Sequence, residues 1–311
     1  MTEIAILTPD PTDDSFVDVW PGVLDRVQRA LSGAGTTAIP TPWTAHIDDA
    51  GGLARFPLVL PLLAWGYHLV PEQWRRACRT WRAAGIPLAN PAEVLAWNAD
   101  KRYLERFAQL GVAVPATTWT QRVTAGLLEE VFATTGAEQL IVKPTVSGGG
   151  WRTRRLRRGD RLDDALHDSP VGTAMIQPYL PTIESEGETS LLFFGGRLSH
   201  AVNKRPVAGE FRIQVQYGGI YTLLEAPPDG ALALARQTLD AIDAPLLYAR
   251  IDTVPDANGR WLLMEAELIE PDFYLGLDPR RGAAFGSAVS ELINAHAAGR
   301  RRHVHGEITR T

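Results

Sequence analysis

The stretch that decides the fold reads Tyr248-Ala-Arg-Ile-Asp252-Thr-Val254, continues through the dipeptide Asn258-Gly259, and resumes as Trp261-Leu-Leu-Met-Glu265-Ala-Glu267. The first run alternates as a β-strand does, the second resumes as a strand, and Asn-Gly is a strong signal for a two-residue hairpin turn. In such a hairpin residue 257 pairs with 260, so Asp252 lies directly opposite Glu265, and Glu267 lies two positions further along the same face. The stretch therefore predicts an antiparallel hairpin with three carboxylates on one face.

Three carboxylates gathered in this way require a compensating positive charge. Like charges that face each other across a ladder destabilise it, and a hard ion such as Mg²⁺ prefers oxygen ligands. The pattern indicates a metal site formed by Asp252, Glu265 and Glu267. A solvated strand face whose acids never meet is the alternative interpretation of the hairpin alone.

Composition limits the classes of protein to consider. The 311 residues exceed the usual size of one compact domain and predict two or three subdomains around a shared cleft. Hydrophobic residues make up 45% and charged residues 22%, as in ordinary soluble globular proteins. The net charge of -5 gives no support for a nucleic-acid partner, and no apolar run reaches the length of a membrane span. The run Met1–Leu7 has an acid where a signal peptide has bases, so the cytoplasm is the expected location.

Strands and helices alternate through the first 95 residues, which predicts an α/β domain with a parallel, helix-covered sheet over residues 1–95. Residues 96–182 mix short strands and helices and are expected to form a small α+β lobe, and residues 183–311, with the hairpin, a third lobe. The strands predicted in the first domain are 4–7, 37–43, 58–63 and 86–90, with helices at 16–32 and 72–84. In the second lobe helices are expected at 99–110, at 127–134 and before Thr173.

A lysine and a glycine-rich turn follow one predicted strand of the second lobe. Lys143 ends the apolar run Leu140-Ile-Val, and a lysine at the end of a buried strand usually has an anionic partner. Ser147-Gly148-Gly149-Gly150 supplies backbone N–H groups that can wrap phosphate oxygens. Together they favour a nucleotide site, although the turn alone is more typical of a simple hairpin connection. The residue order of a P-loop is absent.

Further candidates for nucleotide binding lie on either side of this turn. Lys101 is near the N-terminus of the helix predicted at 99–110, with Asp100 as its N-cap, where an anion finds backbone donors. Gln177-Pro-Tyr179-Leu180-Pro181 follows a buried strand and offers backbone groups and an amide for reading a flat base. Glu188 can accept hydrogen bonds from ribose hydroxyls. The alternatives are a surface lysine, a proline-stiffened linker and a solvated acid.

These stretches together resemble those of ATP-grasp enzymes, and within that superfamily the glutathione-synthetase-like carboxylate–amine ligases. The sequence at 264–271 is similar to the corresponding sequence of a bacterial subgroup that includes the O-ureido-serine cyclo-ligase of cycloserine biosynthesis. The joint match predicts an ATP-grasp fold, with 1–95 on the substrate side, 96–182 as the lid lobe and 183–311 as the catalytic lobe. The matching stretches are Asn98-Ala-Asp-Lys-Arg102, Val142-Lys-Pro144 with Ser147–Gly150, Met175-Ile-Gln-Pro-Tyr-Leu-Pro181, Asn203-Lys-Arg205, and Tyr248–Asp252 with Met264-Glu-Ala-Glu-Leu-Ile-Glu-Pro271.

The resemblance implies roles for most of these residues. Lys101 and Lys143 are expected to bind the ATP phosphates beneath the loop Ser147–Gly150, and Arg205 and Arg212 to lie near the γ-phosphate and the acyl intermediate. A solvated basic loop of Lys204, Arg205 and Arg212 is the alternative. Asparagine commonly occupies the last metal position in glutathione synthetases, so Glu267 is a departure. Adenosine is assigned to Gln177, Tyr179, Leu180 and Glu188, and two Mg²⁺ ions, with Mn²⁺ as an alternative, to Asp252, Glu265 and Glu267.

The loop Trp65-Gly-Tyr67-His68 follows the strand predicted at 58–63. Ligand-binding loops lie at the carboxyl ends of parallel strands, so this loop is expected to touch the acceptor substrate. A packing role for Trp65 and Tyr67 is the alternative. The arginine cluster Arg152–Arg158 is expected to form the exposed side of a hairpin rather than an RNA-binding surface.

The expected function is an ATP-dependent ligase that activates a small amino-acid or peptide carboxylate as an acyl phosphate for attack by an amine, with release of ADP and phosphate. Two alternatives stay open: an intramolecular cyclo-ligase acting on one amino-acid-derived substrate, and a nucleotide-binding protein without turnover. The expected partners are a small amino-acid-like molecule and, since dimers are the family's habit, a second copy of the chain, with neither nucleic acid nor membrane.

Overall fold

Three β-sheets with flanking helices make up the part of the chain that the computed structural model describes, residues 1–161, 170 and 172–308. None of the helices in that part is long and apolar enough to cross a membrane. The strands are β1 (Thr2–Thr8), β2 (Thr36–Pro42), β3 (Val59–Leu60), β4 (Thr118–Thr120), β5 (Gln139–Pro144), β6 (Arg154–Arg157), β7 (Ala174–Pro178), β8 (Glu188–Phe194), β9 (Arg197–Arg205), β10 (Ile220–Leu224), β11 (Tyr248–Pro255) and β12 (Trp261–Glu267). The helices are α1 (Trp20–Ser32), α2 (Pro71–Ala83), α3 (Ala92–Asn98), α4 (Tyr103–Gln109), α5 (Ala125–Thr135), α6 (Thr182–Ser185), α7 (Asp229–Asp240) and α8 (Ala283–Ile308).

The N-terminal sheet is parallel, with strand order β2-β1-β3, as the alternation of strands and helices predicts. Successive residues of a strand point to opposite faces, and both faces of β1 are covered. Ile4 packs in the same core as Leu31 of α1, whereas Leu7 packs in the core of Trp74 of α2. This two-sided burial explains why β1 is a continuous apolar run.

The strand predicted at 86–90 is wrong: it is reduced to a single bridge between Leu88 and Val59. Asn90 leaves the extended conformation, with φ of 62°, and its side-chain amide donates to the carbonyls of Tyr248 (3.0 Å) and Leu268 (2.7 Å). The side chain of Asn90 thus binds the hairpin region, and its backbone does not continue the sheet.

The helix predicted at 99–110 is also shorter than expected, because α4 begins only at Tyr103. The backbone N–H of Lys101 donates to the carbonyl of Thr145 (2.8 Å), so the chain there is held by the second lobe. Asp100 is not the N-cap: its carboxylate accepts from the N–H of Arg102 (3.0 Å), within a turn that precedes the helix.

The second lobe is the antiparallel sheet β4-β7-β5-β6, with α5 on one face. Val142 and Ile176 pair across the sheet and pack in the α5 core. Their neighbours Lys143 and Gln177 therefore point to the opposite face. The helix expected before Thr173 falls on residues 162–169 and 171, outside the described residues.

The third sheet is antiparallel, with strand order β10-β9-β8-β11-β12. The core on one of its faces contains Leu234 of α7 together with Ile251 and Leu263. On the other face Leu192 and Val202 join the core of the N-terminal sheet.

The terminal parts of the chain share one core. Phe194, Phe273 and Phe285 pack together, with ring centroids 4.9 to 5.4 Å apart, in the same core as Ile4. Helix α8 approaches α1 closely at Gly286, where an added Cβ would lie 2.6 Å from the Ala30 carbonyl oxygen. The predicted limits at residues 95 and 182 fall between the sheets and stay predictions.

Candidate active site

The hairpin of β11 and β12 pairs Asp252 with Glu265, as the sequence predicts. The turn, however, is one residue longer than a two-residue Asn-Gly turn, because the N–H of Asp256 donates to the Arg260 carbonyl (2.8 Å). Near the turn, each residue of β11 consequently pairs with a residue of β12 one position away from the predicted partner. A β-bulge between the pairs made by Asp252 and Thr253 shifts the ladder back and gives the predicted pair.

This bulge determines which face the acids occupy. Met264 is the extra residue, and the N–H of Leu263 donates to the carbonyl of Ala113 (2.8 Å). Leu263 and Ala266 both lie in the core beneath the sheet, although a regular strand would point residues three apart to opposite faces. Glu265 and Glu267 flank Ala266 and therefore share the opposite face.

Asp252 is 2% exposed and lies at the centre of this face. Its carboxylate accepts hydrogen bonds from Ser190 (2.5 Å), Arg250 (3.0 Å) and Lys204 (3.3 Å). Burial alone would raise the pKa of Asp252, but Arg250 and then Lys204 outweigh it and hold that pKa at about 2. Lys204 also pairs with Glu188 (2.5 Å). Asp252 is thus ionised at neutral pH and orients two buried cations.

Lys101 joins the hairpin to the glycine-rich turn. Its ammonium lies 2.9 Å from the Glu265 carboxylate and donates to the carbonyl of Ser147 (2.9 Å). Burial would raise the pKa of Glu265, but Lys101 and then Lys143 lower it overall. Burial lowers the pKa of Lys143 itself, with Glu265 opposing that effect. Both lysines therefore act on the same carboxylate.

Two acids at the end of the hairpin, Glu267 and Glu270, have pKa values above the usual value for glutamate. Burial raises the pKa of Glu267 to about 8, even though its carboxylate pairs with Arg250. Burial, followed by the charge of Glu267, raises the pKa of Glu270 to about 8. Both carboxyls would become more acidic if a cation bound beside them.

The donor set of this face fits a divalent ion. Asp252, Glu265 and Glu267 offer carboxylate oxygens, the ligands that Mg²⁺ prefers. As the side chains stand, no group of three or more His, Cys, Asp or Glu in the described residues is placed to hold a metal ion, and each of the three acids pairs with a lysine or arginine. A triphosphate with two divalent ions adds about four negative and four positive charges and so leaves the charge balance of the face unchanged. When ionised, the five carboxylates Asp252, Glu188, Glu265, Glu267 and Glu270 face the four cations Lys101, Lys143, Lys204 and Arg250.

The glycine-rich turn lies against two other segments. Gly149 and Gly150 have φ of 59° and 76°, which glycine adopts without strain. The carbonyl of Gly149 accepts a hydrogen bond from Gln216 (3.0 Å). On the other side, a Cβ at Gly148 would lie 3.5 Å from the ring of His68. The turn therefore closes the space between the N-terminal domain and the segment at 214–217.

The predicted substrate loop reaches the site through Tyr67 and His68. Tyr67 is 8% exposed, packs on Trp74 (5.0 Å between centroids), and lies near the acids at the end of the hairpin. The ring of His68 lies 6.4 Å from that of Trp151, just after the glycine-rich turn. Trp65, in contrast, packs in the N-terminal core and on Phe16 (5.8 Å).

Comparisons with known proteins agree with this geometry, although no protein-family profile matches the chain. The cycloserine biosynthesis protein DcsG of Streptomyces lavendulae is 29% identical over 279 residues, 85% of this chain and 92% of that protein. A glutathione synthetase of Prochlorococcus marinus (strain MIT 9313) is 28% identical over 220 residues, 65% of this chain and 66% of the relative. The crystal structure of D-cycloserine synthetase DcsG aligns with a TM-score of 0.76 at 25% identity, over 94% of this chain and 99% of that one.

The chain belongs to the ATP-grasp superfamily. Within it the chain is similar in sequence to DcsG and to glutathione synthetases, which confirms the resemblance inferred from the sequence. The matches support carboxylate–amine ligation as the class of reaction.

The residues expected to hold adenosine in this ATP-grasp protein lie on separate elements. Gln177, 3% exposed, donates to the Thr117 hydroxyl (2.9 Å). The Tyr179 hydroxyl donates to Glu184 (2.5 Å), and the backbone of Leu180 begins the turn into α6. Glu188 lies in the charge cluster, paired with Lys204.

Of the three predicted catalytic residues, Lys143 lies at the cluster and the two arginines do not. Arg205 is exposed and binds the side chain of Asn203 (3.1 Å) and the carbonyl of Glu186. Arg212 pairs with Glu210 (2.7 Å), and this hydrogen bond lowers the pKa of Glu210 to about 2. Both guanidinium groups would have to leave these partners to reach the face of Asp252.

Sequence reasoning missed Lys204 and Arg250 as members of the ATP-grasp site. Strand alternation could have identified both, since Arg250 lies two residues before Asp252 and Lys204 lies opposite Glu188. A separate expectation was that the whole cluster Arg152–Arg158 is exposed. The Arg155 side chain is 18% exposed and pairs with Glu184 (3.0 Å), so for this residue the expectation is wrong.

Proposed function

We propose that the protein is an ATP-dependent carbon–nitrogen ligase. A carboxylate oxygen of a small amino-acid-like substrate attacks the γ-phosphorus of ATP and ADP leaves. An amine then attacks the acyl carbon, loses a proton and expels phosphate. The observation that carries the proposal is the buried cluster in which Asp252 pairs with Arg250 and Lys204, and Glu265 with Lys101.

The residues of the cluster suit this chemistry because a carboxylate is a poor electrophile until one of its oxygens becomes part of a phosphate. Lys101 and Lys143 bind phosphate oxygens, and Lys204 and Arg250 offset the charge that moves with the phosphoryl group. Held in a buried site, these cations need no rearrangement at the moment of transfer. Arg205 and Arg212 contribute less, because Arg205 binds Asn203 and Arg212 pairs with Glu210.

Asp252, Glu265 and Glu267 would hold two Mg²⁺ ions, with Mn²⁺ as an alternative, and the ions would neutralise phosphate charge. ATP-grasp ligases use ATP and Mg²⁺, which supports this choice. Glu267 would have to exchange Arg250 for an ion, and such a cation would oppose the burial that raises the pKa of Glu267 to about 8.

The loop Ser147–Gly150 would close over the phosphates and exclude water, which otherwise hydrolyses an acyl phosphate. The position of the His68 ring, 3.5 Å from where a Cβ would stand at Gly148, supports closure against the substrate loop. Gln177, Tyr179, Leu180 and Glu188 would bind adenosine on the other side of the phosphates.

Ring closure on a single substrate is a second candidate. The similarity to DcsG, over 85% of the chain in sequence and with a TM-score of 0.76 in structure, favours it. In that reaction the attacking nitrogen belongs to the same molecule as the activated carboxylate, so one compound and ATP suffice.

The proposal is tested by measuring ADP and phosphate release with amino acids, O-ureido and aminooxy amino acids, and dipeptides, singly and in pairs, and then measuring the product mass. Release with one compound and a product lighter than the substrate supports cyclisation, whereas a requirement for two compounds supports ligation. If no compound releases ADP while ATP binds, the protein is a nucleotide-binding protein without turnover. Sedimentation of the same sample tests the expected homodimer.

A further inference from the structure

The outer edge of β12 is bound by parts of the chain other than a strand. In the described part of the chain β12 is the last strand of the third sheet, so the backbone groups on its outer side need other partners. Near the turn the partner is backbone, because the N–H of Leu263 donates to the carbonyl of Ala113. Beside Glu265 and Glu267, in contrast, buried side chains supply the partners.

Asn98, the last residue of α3, provides two of these partners. Its side-chain N–H donates to the carbonyl of Ala266 (2.7 Å), and its side-chain oxygen accepts a hydrogen bond from the N–H of Leu268 (2.9 Å). A carbonyl and the N–H two positions later are the groups that one residue of a neighbouring parallel strand would bind. Asn98 is 8% exposed, so its amide replaces such a strand residue with little competition from water.

Tyr103, the first residue of α4, binds the other backbone group of Ala266. The N–H of Ala266 donates to the Tyr103 hydroxyl (3.0 Å), and Tyr103 is 6% exposed. The rings of Trp97 and Phe107 pack against the Tyr103 ring, with centroids 5.6 and 5.7 Å away, and hold the hydroxyl in place. Both backbone groups of Ala266 therefore bind buried side chains of the segment 98–103.

Ala266 lies between the two acids, so its position sets theirs. Glu265 pairs with Lys101 (2.9 Å), whereas Glu267 pairs with Arg250 of β11, so the two carboxylates are held by different cations. Glu267 would also lose Arg250 on binding an ion. The backbone at Ala266 is then what keeps both carboxylates directed at one space, since the residues on either side of a strand residue share a face.

We propose that Asn98 and Tyr103 are positioning residues: by holding the backbone of Ala266, they keep Glu265 and Glu267 at the spacing at which both bind divalent ions. The inference rests on the proposed function, because it concerns two of the acids that would hold Mg²⁺ there. Groups that orient metal ligands commonly change metal affinity about 10- to 100-fold when they are removed.

The test is Tyr103→Phe, which removes the hydroxyl and keeps the ring. Electron paramagnetic resonance of free Mn²⁺ measures binding of this ion to the full-length protein saturated with a non-hydrolysable ATP analogue. Tyr103→Phe should weaken Mn²⁺ binding about tenfold or more. In ADP release, the Mg²⁺ concentration that gives half the maximal rate should rise by a similar factor, while the rate at saturating Mg²⁺ stays within about threefold of the wild type.

Tyr248→Phe is the matched control. Tyr248 is 1% exposed and its hydroxyl donates to the carbonyl of Ile269 (2.7 Å), so this variant also loses a buried hydrogen bond between a tyrosine and the backbone. Both variants should unfold about 2 to 6 °C below the wild type. Tyr248→Phe should nevertheless bind Mn²⁺ within about threefold of the wild type, because its hydrogen bond does not hold Ala266.

Asn98→Ala removes two hydrogen bonds and should weaken Mn²⁺ binding at least as much as Tyr103→Phe. If Asn98→Ala does not fold, Tyr103→Phe alone decides the proposal. Mn²⁺ affinity within about threefold of the wild type in Tyr103→Phe would overturn it. Equal weakening in Tyr103→Phe and Tyr248→Phe would also overturn it, because the hydrogen bonds at the edge of β12 would then serve the fold alone.

Failure of this inference is distinct from failure of the proposed function. ADP release by the wild type, together with unchanged Mn²⁺ affinity in Tyr103→Phe, would overturn the positioning role and leave the ligase standing. A wild-type protein that binds Mn²⁺ and releases no ADP with any compound would overturn the ligase. The positioning role would then still be decided by the Mn²⁺ affinities of Tyr103→Phe and Tyr248→Phe.

Discussion

Replacement of Glu270 by glutamine should stabilise the ligand-free protein at alkaline pH. Burial, followed by the charge of Glu267, raises the pKa of Glu270 from 4.5 to about 8. Between these values the folded protein retains a proton that the unfolded chain releases, so the contribution of Glu270 to stability falls as the pH rises through this window. At about 1.36 kcal/mol per pH unit the difference corresponds to about 5 kcal/mol. Solvent screening of a half-buried carboxyl reduces this to about 2 kcal/mol.

For a chain of 311 residues a gain of about 2 kcal/mol corresponds to a rise in Tm of about 3 °C. Thermal unfolding followed by circular dichroism, with a chelator and without nucleotide, is the assay. Glu270→Gln should unfold about 3 °C above the wild type at about pH 8 and within about 0.5 °C of it at about pH 4, where both states are mostly protonated. Glu225→Gln, at an exposed acid outside the site, is the matched control and should change neither value. A lower Tm for Glu270→Gln at pH 8, or the same gain at both pH values, would refute the argument, because Glu270 would then have a stabilising partner or act independently of its charge.

Three further predictions concern catalysis and packing. Lys143→Ala and Glu265→Ala should each reduce ADP release at least about 100-fold, because both groups help to balance the charge that moves with the phosphoryl group. The circular dichroism spectrum of each variant should stay that of the wild type. Activity within tenfold of the wild type in either variant would contradict the proposed site. Lys204→Met should abolish ADP release, whereas Arg205→Met, the neighbouring residue on the opposite face of β9, should reduce it by less than about tenfold; equal losses would mean that the strand face does not decide the role. Gly286→Ala should lower the free energy of unfolding by about 1 to 3 kcal/mol in denaturant titration, because its Cβ would lie 2.6 Å from a carbonyl oxygen of α1; an unchanged value would show that α8 shifts without cost.

The hairpin shows how a correct prediction can follow from an incomplete argument. A two-residue turn at Asn258-Gly259 and a regular ladder give the pair Asp252 and Glu265, and so do a longer turn and a bulge at Met264. Periodicity is visible in a sequence, but the compensation between a turn and a bulge depends on which N–H groups find partners elsewhere. Leu263 finds such a partner in Ala113, about 150 residues earlier in the chain.

The cations of the site show which ion pairs could not be predicted from the sequence. Three acids on one face require positive charge, as predicted, and the folded chain supplies part of it from Lys101, Lys204 and Arg250. A lone lysine gives no sign of its partner, because pairing depends on strand register. Arg205 was chosen over its neighbour Lys204 by resemblance, whereas the face of β9 favours Lys204.

The aromatic cluster of Phe194, Phe273 and Phe285 has a consequence for biosynthesis. The ribosome delivers the first sheet and α1 long before α8, so the apolar surface around Ile4 is only partly covered until more than two hundred further residues have been made. Nascent chains in this interval expose apolar surface and are therefore prone to associate with one another. Slow translation of the distal half should therefore lower the yield of native enzyme even when the finished fold is stable.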